Sequence, residues 1–249
     1  GGESSSTYLT TNGADDRYPN WSPDGAHIVF ASNRSGNWDI WIHDFEQGSR
    51  TRLTFDSTFE ASPRWSPTGD KILYGVADIR QIKIKQVDGA SEAITVGQGL
   101  LADWLPDESG FVFERYSRET ESWDILYTRF DEDEVVPLLV TEANEVAPRL
   151  SPDGRHLLYS SDESGTWEVM ATTFPDGEKR WQISTNSGIQ AQWSPTGREI
   201  FFIEGTTLMV VSLVDPKSFT LSQPAPLPTG STILSTFDPV HLSPYTPGA

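Results

Sequence analysis

Short runs of alternating apolar and polar residues recur along this chain, and turn-forming residues separate them. In the first clear instance, the run His27–Ser32 is followed by a turn at Arg34–Asn37 and by a second run at Trp38–Ile42. Short runs with a period of two predict β-strands joined as hairpins. No segment has a sustained apolar period of 3.6 residues, so we expect an all-β chain with almost no helix.

A turn motif with the sequence W-S-P-D-G precedes the paired runs. It occurs at residue 21 and returns, complete or degenerate, at residues 65, 104, 150 and 193, so successive copies start 44, 39, 46 and 43 residues apart. In such a turn the proline fixes φ, the aspartate bonds to nearby backbone and the glycine adopts a positive φ. A repeat of about forty to forty-five residues is the length of four short strands with their turns, which is one blade of a β-propeller.

The repeats predict an all-β fold, a β-propeller of six blades with four antiparallel strands each. Residues 1–6 are interpreted as a linker or the cut end of a longer chain, and residues 7–249 as a single domain. A five-bladed ring with frayed ends is the alternative geometry. The predicted units are residues 15–57, 58–98, 99–143, 144–186 and 187–230, with an incomplete, composite sixth blade from residues 231–249 and the N-terminal strand 7–12, whose pairing would protect open sheet edges.

The first unit resembles the TolB-like, WD-type propeller repeat. It contains Pro19–Gly25 at the turn, Asp39–Trp41 in the third strand and Arg52–Thr54 in the fourth, and similar units extend over residues 8–215. The resemblance implies a propeller fold, and it is unspecific for function. It suggests a periplasmic partner-binding propeller, the propeller lid of a prolyl-peptidase-type enzyme, or a propeller appended to bacterial serine/threonine kinases. The segment Leu208–Asp215 resembles the last group most.

The charge of the chain narrows the range of partners. Its 249 residues include 18 Lys and Arg against 36 Asp and Glu, a formal net charge of −18. Such a surface repels phosphate backbones, so nucleic acid is excluded as a partner, whereas cations or a basic protein or peptide would be attracted. No apolar stretch is long enough for membrane insertion. We expect a monomer, and a periplasmic or extracytoplasmic location is favoured over a cytoplasmic one.

The sequence offers no catalytic constellation and no cofactor motif. It lacks cysteine, a G-x-S-x-G element, a P-loop and a dinucleotide fingerprint. His27 and His156 occupy the same position in two repeats, so both are predicted to be exposed residues at strand starts, and no zinc site is expected. The acidic run Asp131–Glu134 is predicted to be a solvated loop, with calcium binding as the alternative.

Candidate ligand-binding residues lie just before each turn motif. In a propeller the first strand of each blade lines the central channel, so residues that enter this strand should converge at one rim. The residues at these positions differ from repeat to repeat, whereas the turn motif is similar in all of them. They predict a channel opening that is acidic on one side and apolar on the other, which would suit a basic peptide or a cation. The predicted rim residues are Asp16, Arg17, Tyr18, Glu60, Leu100, Leu101, Glu145, Ile189 and Gln190.

The sequence therefore favours a non-catalytic propeller that binds a protein or peptide, or acts as a sensor, within a larger bacterial protein. Two alternatives stay open. One is a substrate-gating propeller whose hydrolase domain lies outside this sequence. The other is a propeller that binds a small ligand or a cation.

Overall fold

The computed structural model describes residues 13–227, which form five antiparallel sheets. Each sheet follows chain order from the innermost strand outward. The strands are β1 (Asp16–Trp21), β2 (His27–Ser32), β3 (Asp39–Asp44), β4 (Arg50–Arg52), β5 (Glu60–Trp65), β6 (Lys71–Val76), β7 (Gln81–Gln86), β8 (Ile94–Gln98), β9 (Leu100–Trp104), β10 (Gly110–Ser117), β11 (Ser122–Arg129), β12 (Val135–Leu139), β13 (Glu145–Leu150), β14 (His156–Ser161), β15 (Glu168–Thr173), β16 (Arg180–Gln182), β17 (Ile189–Trp193), β18 (Glu199–Glu204), β19 (Thr207–Asp215), β20 (Thr220–Leu221) and β21 (Ala225–Pro226).

The molecule is an all-β propeller, and within residues 13–227 it has five blades of four strands rather than the six that the sequence predicted. In the fifth blade β21 also pairs with β19. The residues assigned to the composite sixth blade, 7–12 and 231–249, lie outside the described part of the chain. Five blades match the five turn motifs, since each motif joins the first and second strands of one sheet. Between residues 13 and 227 the only helical element is a single 3-10 turn at Ala77–Ile79.

The turn motif folds through hydrogen bonds of its own residues. The Gly25 N–H donates to the carbonyl oxygen of Ser22 at 2.9 Å, and the Ala26 N–H donates to Oδ1 of Asp24 at 2.9 Å. Gly25 has a φ of 71°, a conformation that L side chains adopt at a cost. The His27 N–H donates to the Ser22 hydroxyl, which ties the turn to β2. The turn aspartate therefore has the backbone-bonding role that the sequence predicted.

A β-bulge interrupts the innermost strand of every blade. In blade 1 the register passes from Arg17 opposite Ala31 to Asn20 opposite Val29, so two residues face the single residue Phe30. The other four blades show the same shift. The residue opposite each bulge is a buried aromatic side chain: Phe30, Tyr74, Phe113, Tyr159 and Phe202. The bulge therefore belongs to the repeat itself, and one large ring supports it from the second strand.

Neighbouring blades are joined by apolar cores and by hydrogen bonds close to the channel. The core between blades 1 and 2 contains Val29, Ile40, Ile72 and Tyr74, all almost fully buried. Comparable clusters fill the next three interfaces. Burial of this apolar surface is the main force holding one blade on the next.

Two kinds of hydrogen bond cross these interfaces: a backbone N–H donates to a side-chain oxygen, or a tryptophan indole donates to a backbone carbonyl oxygen. The Trp65 N–H donates to Oδ1 of Asn20 at 2.8 Å, and the Leu150 N–H donates to Oδ2 of Asp103 at 2.9 Å. At the alternate interfaces, the indole Nε1–H of Trp104 donates to the carbonyl oxygen of Arg64 at 3.2 Å. The corresponding Trp193 indole donates to the carbonyl oxygen of Arg149 at 3.1 Å. Each blade is thereby held in register with the one before it.

Replacing Asn20 with alanine tests the importance of these bonds. The variant leaves the Trp65 N–H without its acceptor, so we expect the free energy of unfolding to fall by about 1 to 3 kcal/mol. Urea denaturation followed by tryptophan fluorescence measures the change. The exposed turn residue Gln47 provides the control, because Gln47→Ala should stay within about 0.5 kcal/mol of the parent protein. Equal midpoints for the two variants would contradict this role of Asn20.

Candidate functional site

The innermost strands of all five blades surround a central cavity of about 220 Å³. The lining combines apolar, amide, phenolic and guanidinium groups from β1, β5, β9, β13 and β17. The lining residues are Tyr18, Pro19, Arg64, Leu101, Ala147, Arg149, Gln190, Ala191 and Gln192. A cavity of this kind, enclosed by several elements and lined by mixed chemistry, is the usual setting of a binding site.

The bulges direct side chains into this cavity. The first residue of each bulge has a left-handed backbone, with φ between 38° and 58°. None of these five residues is glycine, so each conformation is strained. Four of them line the cavity and the fifth, Ser62, is buried. The five are Tyr18, Ser62, Leu101, Ala147 and Gln190.

Two buried arginines give the cavity its charge. Arg64 of β5 and Arg149 of β13 occupy equivalent positions, two residues after the left-handed residue, and are 5% and 8% exposed. Burial, followed by repulsion from Arg149, lowers the pKa of Arg64 to about 9. Burial also lowers the pKa of Arg149, while Asp103 and Glu114 raise it. Both groups are protonated at neutral pH, so the cavity wall is cationic although the whole chain is strongly acidic.

Family and structural comparisons agree on the type of fold. Residues 2–100 match the family model described as TolB beta propeller domain. The structure superposes on TolB from Acinetobacter baumannii with a TM-score of 0.72 and 20% sequence identity, covering 90% of this chain and 57% of that one. The chain therefore has the fold of a TolB-type β-propeller.

Other solved structures share this TolB-like fold. A protein assigned as TolB in Agrobacterium tumefaciens gives a TM-score of 0.71 at 17% identity, covering 86% of this propeller and 82% of its own chain. Oligogalacturonate lyase from Vibrio parahaemolyticus gives a TM-score of 0.66 at 14% identity, and the alignment covers 88% of this chain and 69% of the lyase chain. No curated protein has a significant sequence match. The propeller spans about 57% of the length of the Acinetobacter TolB chain.

The acidic residues predicted for the rim are not at an open mouth of the propeller. Glu60 and Glu145 are fully buried. Glu145 accepts a hydrogen bond from the Thr141 hydroxyl at 3.1 Å and another from Ser161 at 3.3 Å. Asp16 pairs with Arg34 at 2.8 Å, and both side chains are largely buried. These carboxylates therefore take part in the internal structure of the blades.

The remaining predicted rim residues divide between the cavity and the core. Tyr18, Leu101 and Gln190 line the cavity. Leu100 packs with Leu101 in an apolar cluster, and Ile189 is half-buried at the start of β17. The Arg17 guanidinium lies 4.9 Å from the ring centre of Trp38. Ligand binding by the nine residues stays a prediction.

Arg64 and Arg149 were not among the residues predicted to line the channel. The signal was the position immediately before each Trp or Leu of the turn motif, which is polar in all five repeats although it lies in an innermost strand. The residues there are Asn20, Arg64, Asp103, Arg149 and Gln192.

The histidines of the described residues lie in strands β2, β3 and β14. His27 and His156 are both half-buried, and His156 stacks on Phe219 with ring centres 4.3 Å apart, so the exposure predicted for the two histidines is corrected. Between residues 13 and 227, no three His, Asp or Glu side chains are grouped closely enough to hold a metal ion. No helix in that range has the length and apolar character needed to cross a membrane.

Three buried carboxyl groups, which lie in or next to the innermost strands, have raised pKa values. Burial raises the pKa of Glu60 and of Glu145 to about 7, and that of Glu114 to about 8. Glu114 accepts a hydrogen bond from the Ala147 N–H at 2.8 Å, which favours ionisation but does not outweigh burial. At neutral pH Glu114 is therefore only a partial counter-charge to the nearby Arg149.

These groups make stability depend on pH. A carboxyl group whose pKa is higher in the folded chain than its ordinary 4.5 stabilises the fold at low pH, and this contribution is lost as pH rises through about 8. We expect the free energy of unfolding to decline between pH 4.5 and about 8, and Glu114 contributes up to about 1.4 kcal/mol per pH unit to this decline. Glu114→Gln keeps the acceptor for Ala147 and cannot ionise, so it should flatten the decline.

Urea denaturation at about pH 5, 7 and 9 measures this effect. Glu119→Gln, a change at an exposed turn residue, is the control and should follow the parent curve. Parallel curves for the parent protein and Glu114→Gln would show that Glu114 ionises normally in the folded chain.

Proposed function

We propose that this propeller is a non-catalytic domain of a larger bacterial protein and that it binds a protein or peptide segment in its central channel. The observation that carries the proposal is the cavity lined by residues from all five described blades, four of which contribute bulged residues. Strained backbone persists where surrounding structure enforces it, and it is concentrated at binding sites. Here it presents Tyr18, Leu101 and Gln190 to one space.

The chemistry of the lining supports a peptide ligand. Tyr18 and Leu101 provide apolar contact area, while the amide groups of Gln190 and Gln192 can donate to and accept from a peptide backbone. The proposed larger protein is supported by the comparison with the Acinetobacter TolB, of which this chain covers 57%. The likeness to TolB also supports a periplasmic or extracytoplasmic location as part of the proposal.

A small-ligand-binding propeller is the second candidate. The compact cavity of about 220 Å³, with a few polar groups among apolar ones, is consistent with a small ligand. Oligogalacturonate lyase has the same fold, so the fold accommodates enzymes as well as binding domains.

Site-specific photo-crosslinking separates these candidates. Gln190→p-benzoylphenylalanine places a reactive group at the cavity, and Ile94→p-benzoylphenylalanine places it on the exposed outer strand β8, where Ile94 is 66% exposed. We expect a defined protein adduct in source cells from the Gln190 variant and none from the Ile94 variant. Adducts from Ile94 alone, or from neither variant, would contradict protein binding in the channel.

A further inference from the structure

The central cavity contains two positive charges that no described residue neutralises by contact. Arg64 and Arg149 are more than nine-tenths buried, and within residues 13–227 neither guanidinium forms an ion pair. The Nε atom of each has no hydrogen-bond partner in that part of the chain. A buried arginine normally donates its Nε–H and Nη–H groups to a carboxylate or a phosphate.

The hydrogen bonds that the two arginines form go to backbone carbonyl oxygens and not to an anion. Nη1 of Arg64 donates to the carbonyl oxygen of Pro63 at 3.4 Å, and Nη1 of Arg149 donates to that of Pro148 at 2.6 Å. Both acceptors belong to the preceding residue, so these bonds fold each side chain along its own strand. They leave the buried Nε–H of each guanidinium group without an acceptor, and both side chains line the cavity.

The acidic residues nearest the arginines are already bonded elsewhere. Oδ2 of Asp103 accepts the Leu150 N–H, and Oε2 of Glu114 accepts the Ala147 N–H. Asp103 attracts both arginines through space. Glu114 is mostly protonated at neutral pH. Burial thus makes Glu114 an incomplete counter-charge, and the positive charge of the two arginines is only partly offset.

We propose that the space between Arg64 and Arg149 is a carboxylate-binding site, which accepts an acidic group of the peptide that the channel binds. The proposal rests on the proposed function and specifies its ligand. A carboxylate is a planar, singly charged acceptor, and it matches the two unpaired guanidinium groups with less excess negative charge than a phosphate dianion. A carboxylate bonded by two arginines also relieves the repulsion between them. This ligand is opposite in charge to the basic peptide that the sequence suggested.

The first test uses the parent protein and needs no natural partner. Sodium acetate serves as the carboxylate probe, with sodium chloride at equal ionic strength as the reference. NMR of arginine Nε–Hε groups reports on each guanidinium, and Arg64→Gln and Arg149→Gln identify the two signals by their loss. We expect acetate to shift these two signals in a saturable manner and to leave that of exposed Arg118 in place. Identical responses to acetate and chloride would overturn the proposal, as would stronger binding of inorganic phosphate than of acetate at pH 7.

A second test distinguishes the possible sources of the carboxylate. Nα-acetylglutamate amide carries a side-chain carboxylate, Nα-acetylglutamine amide is its neutral match, and Nα-acetylalanine carries a C-terminal carboxylate. We expect at least one acid to bind about tenfold more tightly than the neutral compound, because hydrogen bonds between charged groups are about twice as strong as neutral ones. Preference for the glutamate compound indicates an internal acidic residue, and preference for the alanine compound indicates a chain end.

Variants test the assignment to the two arginines. Arg64→Gln and Arg149→Gln should each abolish the preference for acids, and the surface change Arg118→Gln should retain it. If a glutamine variant does not fold, Arg64→Lys keeps the charge but loses the planar donor pair, and it should weaken acid binding. Equal affinity of the acids and the neutral compound for the parent protein would refute the carboxylate site. A channel adduct in the crosslinking experiment would still support peptide binding, so the two proposals fail separately.

Discussion

The bulge in the innermost strand determines where the side chains of each blade point. Successive residues of a regular strand face opposite sides of the sheet, and an extra residue changes that alternation for everything after it. In this propeller the extra residue comes immediately before the turn motif, opposite a buried aromatic ring. As a result, Glu60 and Glu145 are buried inside the blades, while Arg64 and Arg149, four residues later, line the channel. The hydrogen bonds of Asn20 and Asp103 then join blade 1 to blade 2 and blade 3 to blade 4.

The repeat made much of the fold predictable from the sequence. Five turn motifs at similar spacing gave the propeller type, the order of strands and the role of the turn aspartate, because a motif that contains its own hydrogen-bond partners folds locally. Residues 13–227 contain five blades where six were predicted; the sixth was inferred from weak similarity at residues 7–12 and 231–249, which lie outside the described residues. The positions that converge on the channel followed from the register argument, which holds for Tyr18, Leu101 and Gln190.

The direction of individual side chains was not predictable in the same way. Strand alternation alone places Glu60 and Arg64 on one face, and only the register shift separates them. A bulge leaves little trace in a single sequence, although the prolines at 19, 63 and 148 are consistent with one, since proline within sheets is restricted to edges and bulges. The charge of the channel was missed for the same reason. A net charge of −18 describes the outer surface, whereas two arginines determine the field inside the cavity.

A double-mutant cycle on Arg64 and Arg149 tests most directly whether equivalent positions of different blades meet at one channel. The two charges repel each other across the cavity, so removing either one should relieve the same repulsion. Free energies of unfolding are measured for the parent protein, Arg64→Gln, Arg149→Gln and the double variant at low ionic strength. We predict that the double variant is less stable than the sum of the single effects, by about 0.5 kcal/mol or more, and that added salt reduces the difference. Additivity within about 0.3 kcal/mol at low salt would show that the two arginines do not share a cavity, and it would contradict the convergent channel.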